Sequence, residues 1–189
     1  MDNANLNLNA GGYINDVIYD QWHDCYIVVG NFTTINSINR RNLAFIDRIT
    51  MQVKTETYLN PIESMDGEIR CIDFTRTFSF GVFTYHYFIG GNFSTLTVNG
   101  SVHNRLGIAK ITATQNSLFP YAHSNFSCAL WDADLDMYPL TTGFNSQGVE
   151  DILITHDTII FSGAFYAVDM SDTYAIRDGI AAFTINGSS

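Results

Sequence analysis

The chain has 189 residues, enough for one domain with a real core, and its 46% hydrophobic against 15% charged residues excludes an intrinsically disordered polymer. Its 14 Phe and 10 Tyr favour strands, because aromatic side chains fit a pleated, half-buried surface. A net charge of −10 opposes binding to nucleic-acid phosphates or anionic lipid, so neither is an expected partner.

In chain order, residues 1–12 carry no basic segment followed by an apolar run, so they do not read as a secretory leader. Polar residues interrupt every apolar run well short of the ~20 positions a membrane-spanning helix needs. Residues 4–10 alternate Asn with Leu and Ala and read as an extra strand. A strand pair follows over residues 14–19 and 26–32, joined by a turn at 21–24 and ending in Gly30-Asn31-Phe32. Residues 33–39 are a polar connection, Arg40 and Arg41 read as turn residues, and Arg41 opens a short strand containing Ala44. A fourth strand is expected over residues 51–58.

The same order of features then recurs. Residues 69–74 and 87–93 form the next pair, closing on Gly91-Asn92-Phe93. The connection 94–104, Arg105 and a strand around Ala109 come after it, with a fourth strand over 118–129. In the third copy, residues 149–154 precede an apolar run ending in Gly163-Ala164-Phe165, and the connection 166–176 leads to Arg177 and a strand around Ala181. The glycines are 61 and 72 residues apart, and glycine-to-alanine intervals of 14, 18 and 18 residues argue for one supersecondary unit used three times rather than chance patterning. The three units span residues 12–60, 67–130 and 147–187 of a single domain, 1–189. Glycine suits a strand end where neighbouring backbone approaches closely, and a Phe two residues later falls on the same strand face. Gly30, Phe32, Ala44, Gly91, Phe93, Ala109, Gly163, Phe165 and Ala181 therefore define the repeat, with packing roles.

Gly30-Asn-Phe-Thr-Thr-Ile-Asn36 and Gly90-Gly-Asn-Phe-Ser-Thr-Leu-Thr-Val-Asn-Gly100, each followed by Arg and a Leu/Ile-Ala strand, resemble the delta-sixty type of β-propeller repeat. Kelch-like and fungal cell-surface marker propellers look similar. The resemblance covers most of residues 12–185 and is weakest in the third copy, where Ala164 replaces Asn. It implies an all-β fold of three propeller-like blades of antiparallel strands. It implies no activity, because propellers host many unrelated functions. Closed propellers commonly have roughly four to eight blades, so three call for completion by another chain. In one version a second copy makes a six-bladed homodimer, with residues 4–10 supplying the outer strand that the third unit lacks. In others the chain is part of a longer propeller, or its edges are covered by other protein subunits.

The remaining chemistry is sparse. Asp132, Asp134 and Asp136 alternate as at the start of a calcium loop, but Met137 replaces the turn glycine and Gly143 the bidentate Glu, which favours a solvated strand face over a metal site. Cys25, Cys71 and Cys128 are odd in number and far apart, as buried strand thiols would be. His23, His86, His103, His123 and His156 are scattered, and no Gly-x-Ser-x-Gly elbow is present. No catalytic residue, cofactor or metal is expected. Five Asn-x-Ser/Thr sequons, at Asn31, Asn92, Asn99, Asn125 and Asn186, read as incidental in an Asn-rich chain. The expected function is a non-enzymatic structural or protein–protein interaction module of a larger assembly, a virion or cell-surface complex. The alternatives are a carbohydrate- or small-ligand-binding propeller, using Trp22, Trp131 and loop tyrosines, and a propeller-fold hydrolase.

Overall fold

The computed structural model describes residues 6–55, 60–105, 107–116, 123–128, 134–137, 148–156, 158–170, 173–176 and 179–184. Among them every regular element is a β-strand and every strand pair is antiparallel.

In the first sheet, β1 (Tyr13–Asp20) pairs with β2 (Cys25–Asn31), the short hairpin β3 (Thr34–Ile35) and β4 (Ile38–Asn39) follows, and β5 (Leu43–Asp47) completes the order β1-β2-β5. An isolated bridge from Ile46 to Val53 extends it. Next, β6 (Ser64–Met65) precedes β7 (Ile69–Ser79) and β8 (Val82–Gly91), then the hairpin β9 (Thr95–Val98) and β10 (Ser101–Asn104), then β11 (Ile108–Asn116) and β12 (His123–Cys128). The main sheet here runs β12-β11-β8-β7, with a side sheet β10-β9-β6. Last come β13 (Asp134–Met137), β14 (Gly148–Thr155), the long β15 (Thr158–Met170), β16 (Thr173–Ile176) and β17 (Ile180–Thr184). The first half of β15 pairs with β14 and β17, and its second half with β13 and β16.

One local arrangement occurs in all three main sheets. The first strand carries a register shift at Ile14/Asp16, Ile69/Cys71 and Val149/Asp151, opposite Gly30, Gly91 and Gly163 respectively. At each glycine an added Cβ would stand 2.1 Å from a backbone carbonyl oxygen, that of Tyr13, Glu68 or Gly148. The bulge presses carbonyl onto strand, and only a residue without a side chain fits beneath it.

The connections differ from the polar loops expected of residues 33–39, 94–104 and 166–176: each holds a hairpin. Asn36 and Ser37 both have positive φ (50° and 66°), as do Asn99 and Gly100 (50° and 72°), the backbone of the tight turn whose twist matches paired strands. Residues 6–10 lie against the hairpin of their own unit. Leu8 bridges Ile35 within the first unit, where Asn36 N donates to Asn7 O at 2.8 Å and Asn9 Oδ1 accepts from Thr33 N at 2.7 Å. In the second unit Met65 pairs with Leu96 in the corresponding way, and in the third Leu135 pairs with Val168. Polar Asn side chains thus tie this segment to its own unit's hairpin. Of the expected fourth strands, residues 51–58 supply only the Val53 bridge, with 56–58 outside the described residues, and residues 118–129 supply β12.

Apolar side chains collect in three clusters. One, including Ile27, Leu43 and Phe45 with Ile72, Tyr87, Ile89 and Ala109, lies between the first and second sheets. Another, with Phe88 and Ile108 against Val149, Ile152 and Phe161, lies between the second and third. On the far face of the first sheet, Val28, Phe32, Ile35, Ala44 and Ile46 are covered by Leu6, Leu8 and Met51.

Candidate functional site

The first strands of the sheets run side by side, β1 next to β7 and β7 next to β14, and polar side chains at the bulges stitch them together. Asp16 Oδ1 accepts from Val17 N (2.7 Å), while Oδ2 reaches the next sheet and accepts from Ile72 N (3.0 Å). Asp73 repeats the gesture, with Oδ1 on Phe74 N (2.8 Å) and Oδ2 on Ile154 N (2.7 Å). Burial raises the Asp73 pKa, against the pull of those two amide hydrogen bonds. Asp151 makes the same local bond to Ile152 N at 2.9 Å, but no donor among the described residues meets its second oxygen.

Beside these, Asn15 Nδ2 donates to Ile69 O at 2.8 Å, Tyr13 OH donates to Glu68, and the Arg70 guanidinium joins Glu68 to Glu150. Burial pushes the Glu68 carboxyl up, but hydrogen bonds from Tyr13 and Arg70 outweigh it and hold the pKa below the usual value. Glu68 in turn raises the Tyr13 hydroxyl.

The apolar side of these junctions is complete at two places and open at two. Leu43, Ile108 and Ile180 occupy one register position, next to the central strand of their sheets, opposite Val29, Gly90 and Ser162. Leu43 and Ile108 are 2% and 1% exposed, whereas Ile180 is 60% exposed, and Leu153 near it is 53% exposed. On the opposite faces, Val17, Ile72 and Ile152 pair with Val28, Ile89 and Phe161. Ile72 and Ile152 are buried at 2% and 6%, whereas Val17 is 50% exposed, with Tyr19 exposed beside it. The third sheet thus shows solvent the face that the first two bury, whereas the first sheet shows only Val17 and Tyr19 at the margin of a face whose Val28, Ala44 and Ile46 lie buried under Leu6, Leu8 and Met51.

Other groups have local explanations. Buried Asp20 contacts His23 Nδ1 at 2.5 Å, a pairing seen in acid–base catalysis, but its Oδ1 accepts from Trp22 N (2.9 Å) and His23 N (3.2 Å) to cap the β1–β2 turn. Asp47 caps the turn after β5 in the same way, accepting from Ile49 N and Thr50 N. The Trp22 ring carries the Arg76 guanidinium at 4.4 Å over it and meets Phe74 edge-on, so a face a sugar would stack on is already occupied. Trp131 lies outside the described residues. A polar cleft of about 270 Å³ is lined by Thr33, Asn39, Arg40, Arg41, Asn60 and Glu63, among others. Arg40 crosses it to donate to Asn39 O and Lys54 O at 2.8 and 2.6 Å.

Asp134 and Asp136 lie on β13, and Asp132 falls outside the described residues. Among the described residues no three His, Cys, Asp or Glu side chains gather as metal ligands would, and no helix is long and apolar enough to cross a membrane. Cys25 and Cys71 are buried free thiols; burial, with the Asp20 charge, pushes Cys25 up to about 12, and burial raises Cys71 likewise. Cys128 ends β12.

Phe32 and Phe93 are buried at the sheet ends, Ala44, Ala109 and Ala181 lie buried in one register position opposite Val28, Ile89 and Phe161, and Phe165 is on β15. Two recurring positions escaped the sequence reading. Arg40, not Arg41, corresponds to Arg105: both are buried, and their backbone N–H groups donate to Thr33 O and Ser94 O. Asn42, Gly107 and Gly179 all have positive φ, and their carbonyls accept from Gly30 N, Gly91 N and Gly163 N at 2.9 to 3.1 Å. The spacing Arg-x-Asn/Gly-Leu/Ile-Ala, at residues 40–44, 105–109 and 177–181, carries this signal.

No protein-family model, no curated protein and no solved structure matches the chain.

Proposed function

We propose that the protein is a non-enzymatic interaction module whose three main sheets stand as consecutive blades of a propeller-like array, and that it works by packing the open face of its third sheet against further β-sheet protein. The observation that carries this reading is Ile180. It is 60% exposed at the register position where Leu43 and Ile108 are buried by the next sheet. Large apolar side chains held open in a defined pattern mark contact surfaces, and Leu153 is 53% exposed on the same sheet.

The test compares lysine at the same position of two sheets, by Trp fluorescence during urea unfolding at nanomolar concentration. Ile108→Lys should abolish or severely weaken folding, since it buries a charge between two sheets. Ile180→Lys should shift the midpoint by no more than about 0.5 kcal/mol, as surface substitutions do. Equal damage from both would make the third sheet's face part of this chain's own core and sink the proposal.

A further inference from the structure

The second sheet reaches further than its neighbours. Counted from the corresponding pairs Val17↔Val28, Ile72↔Ile89 and Ile152↔Phe161, the first hairpin closes three residues on at Asp20↔Cys25, and the third closes three residues on at Thr155↔Thr158. The second continues for seven, to Ser79↔Val82, and β11 keeps alongside it as far as Asn116. Four extra pairs at ~3.3 Å each carry the β7–β8 tip roughly 13 Å past the neighbouring turns.

This tip is apolar and firmly based. Phe78 is 60% exposed and Phe80 fully exposed, and the Phe78 ring lies 4.6 Å from that of Phe83. Nearer the base, the Arg76 guanidinium lies 4.4 Å from both the Phe83 and the Trp22 rings, and Tyr85 OH donates to Gln115 Oε1 at 2.7 Å. Phe80 holds a φ of 48°. A bulky residue is strained in that region, and strain kept without any packing in return points to a role outside the folded chain.

Charge is distributed to match. Residues 74–131 contain none of the chain's 19 carboxylates, yet hold Arg76, Arg105 and Lys110 from its 9 Lys and Arg residues. Asp24, in the turn of the neighbouring first hairpin, is paired with Arg48 and belongs to a hairpin that closes four pairs short of this tip. A pocket on a protein tolerates carboxylates around its rim. A bilayer surface is flat, so every group level with an inserted ring must enter it too. There a carboxylate is costly, Phe is favoured, and a depth of about 5–10 Å suffices.

From these observations we propose that the β7–β8 tip is a lipid-docking element, with Phe78 and Phe80 entering the headgroup–acyl boundary of a zwitterionic bilayer. The net charge of −10 opposes anionic leaflets, so apolar insertion rather than charge holds the contact. Two rings give a weak and reversible attachment. The site is separate from the open face of the third sheet, and neither reading depends on the other.

The test pellets the full chain with sucrose-loaded vesicles of pure phosphatidylcholine over a series of lipid concentrations. Wild-type protein should co-sediment. Phe80→Asn, which suits the turn backbone, and Phe78→Ser should each lower the partition coefficient by about tenfold, the scale of withdrawing one partly buried ring from an apolar medium. Val102→Ser should leave it unchanged, since Val102 is 69% exposed on β10, in the hairpin that follows the opposite end of β8. Urea midpoints of the three variants separate lost binding from lost fold. Wild-type protein that stays in the supernatant overturns the lipid assignment and leaves a pocket on another protein as the occupant. Co-sedimentation that Phe80→Asn leaves intact overturns it as well, as does binding seen only with phosphatidylserine vesicles and abolished by salt, because neither passes through insertion of the tip.

Discussion

At Gly91 a methyl group would have to share space with the Glu68 carbonyl oxygen, 2.1 Å from where its carbon must go. The obstacle is backbone in a bonded strand pair, so it cannot swing aside as a side chain would. Gly100 makes a different demand. Nothing lies within 4 Å of its missing Cβ, and only its positive φ of 72° disfavours other residues. Gly100→Ala should therefore cost about 1 kcal/mol, the usual penalty for a left-handed L-residue. Gly91→Ala should cost more than the ~1–3 kcal/mol typical of overpacking, read as a larger fall in the urea midpoint. Equal shifts would mean that the bulge relaxes around the new atom.

Within an element, the turn sets how well a strand pair closes. Phe80 and Gly81 join β7 to β8 with positive φ at both residues (48° and 78°), and the Phe80 side chain is fully exposed. A bulky aromatic residue pays for this backbone and gains no packing from it. Asn at the first position of such a turn is the preferred choice, so Phe80→Asn should stabilise the protein by about 0.5–1 kcal/mol, on the scale of compatible turn substitutions, seen as a higher melting temperature. No change would mean that Phe80 has a contact in the folded chain that offsets its strain. Such turns also show what the sequence discloses and what it withholds. Gly30, Gly91 and Gly163 are legible because a bulge under a carbonyl admits one residue type, and that constraint repeats at readable spacing. Asn99-Gly100 was equally legible as a hairpin turn, but the flanking strands are short and polar and read as loop. The placement of Leu8 was not legible, because alternation identifies a strand without naming its neighbour. The exposure of Ile180 was least legible of all. Ile108 and Ile180 sit before the same Ala in the same motif, and only the stacking of sheets makes one core and the other surface.

Across the whole molecule, sheets adhere through apolar clusters and a thread of charge running from Tyr13 through Glu68 and Arg70 to Glu150. Since the folded-state pKa of Glu68 is depressed, its contribution is present above the unfolded carboxylate value, about 4.3, and is lost as pH falls through the folded value. Asp73, raised by burial, acts in the opposite sense: its contribution is lost as pH rises. Glu68→Gln should flatten the decline in urea stability between about pH 5 and 3, and an unchanged profile would show that the thread adds nothing to cohesion between sheets. The cover that Leu6 and Leu8 place over the far face of the first sheet has a further consequence. These residues leave a ribosome before the strands they protect, so the first sheet can be sealed on that side as soon as its own residues have emerged. Each later sheet then reaches a finished apolar wall rather than open water, and the nascent chain grows outward in the order in which it is translated.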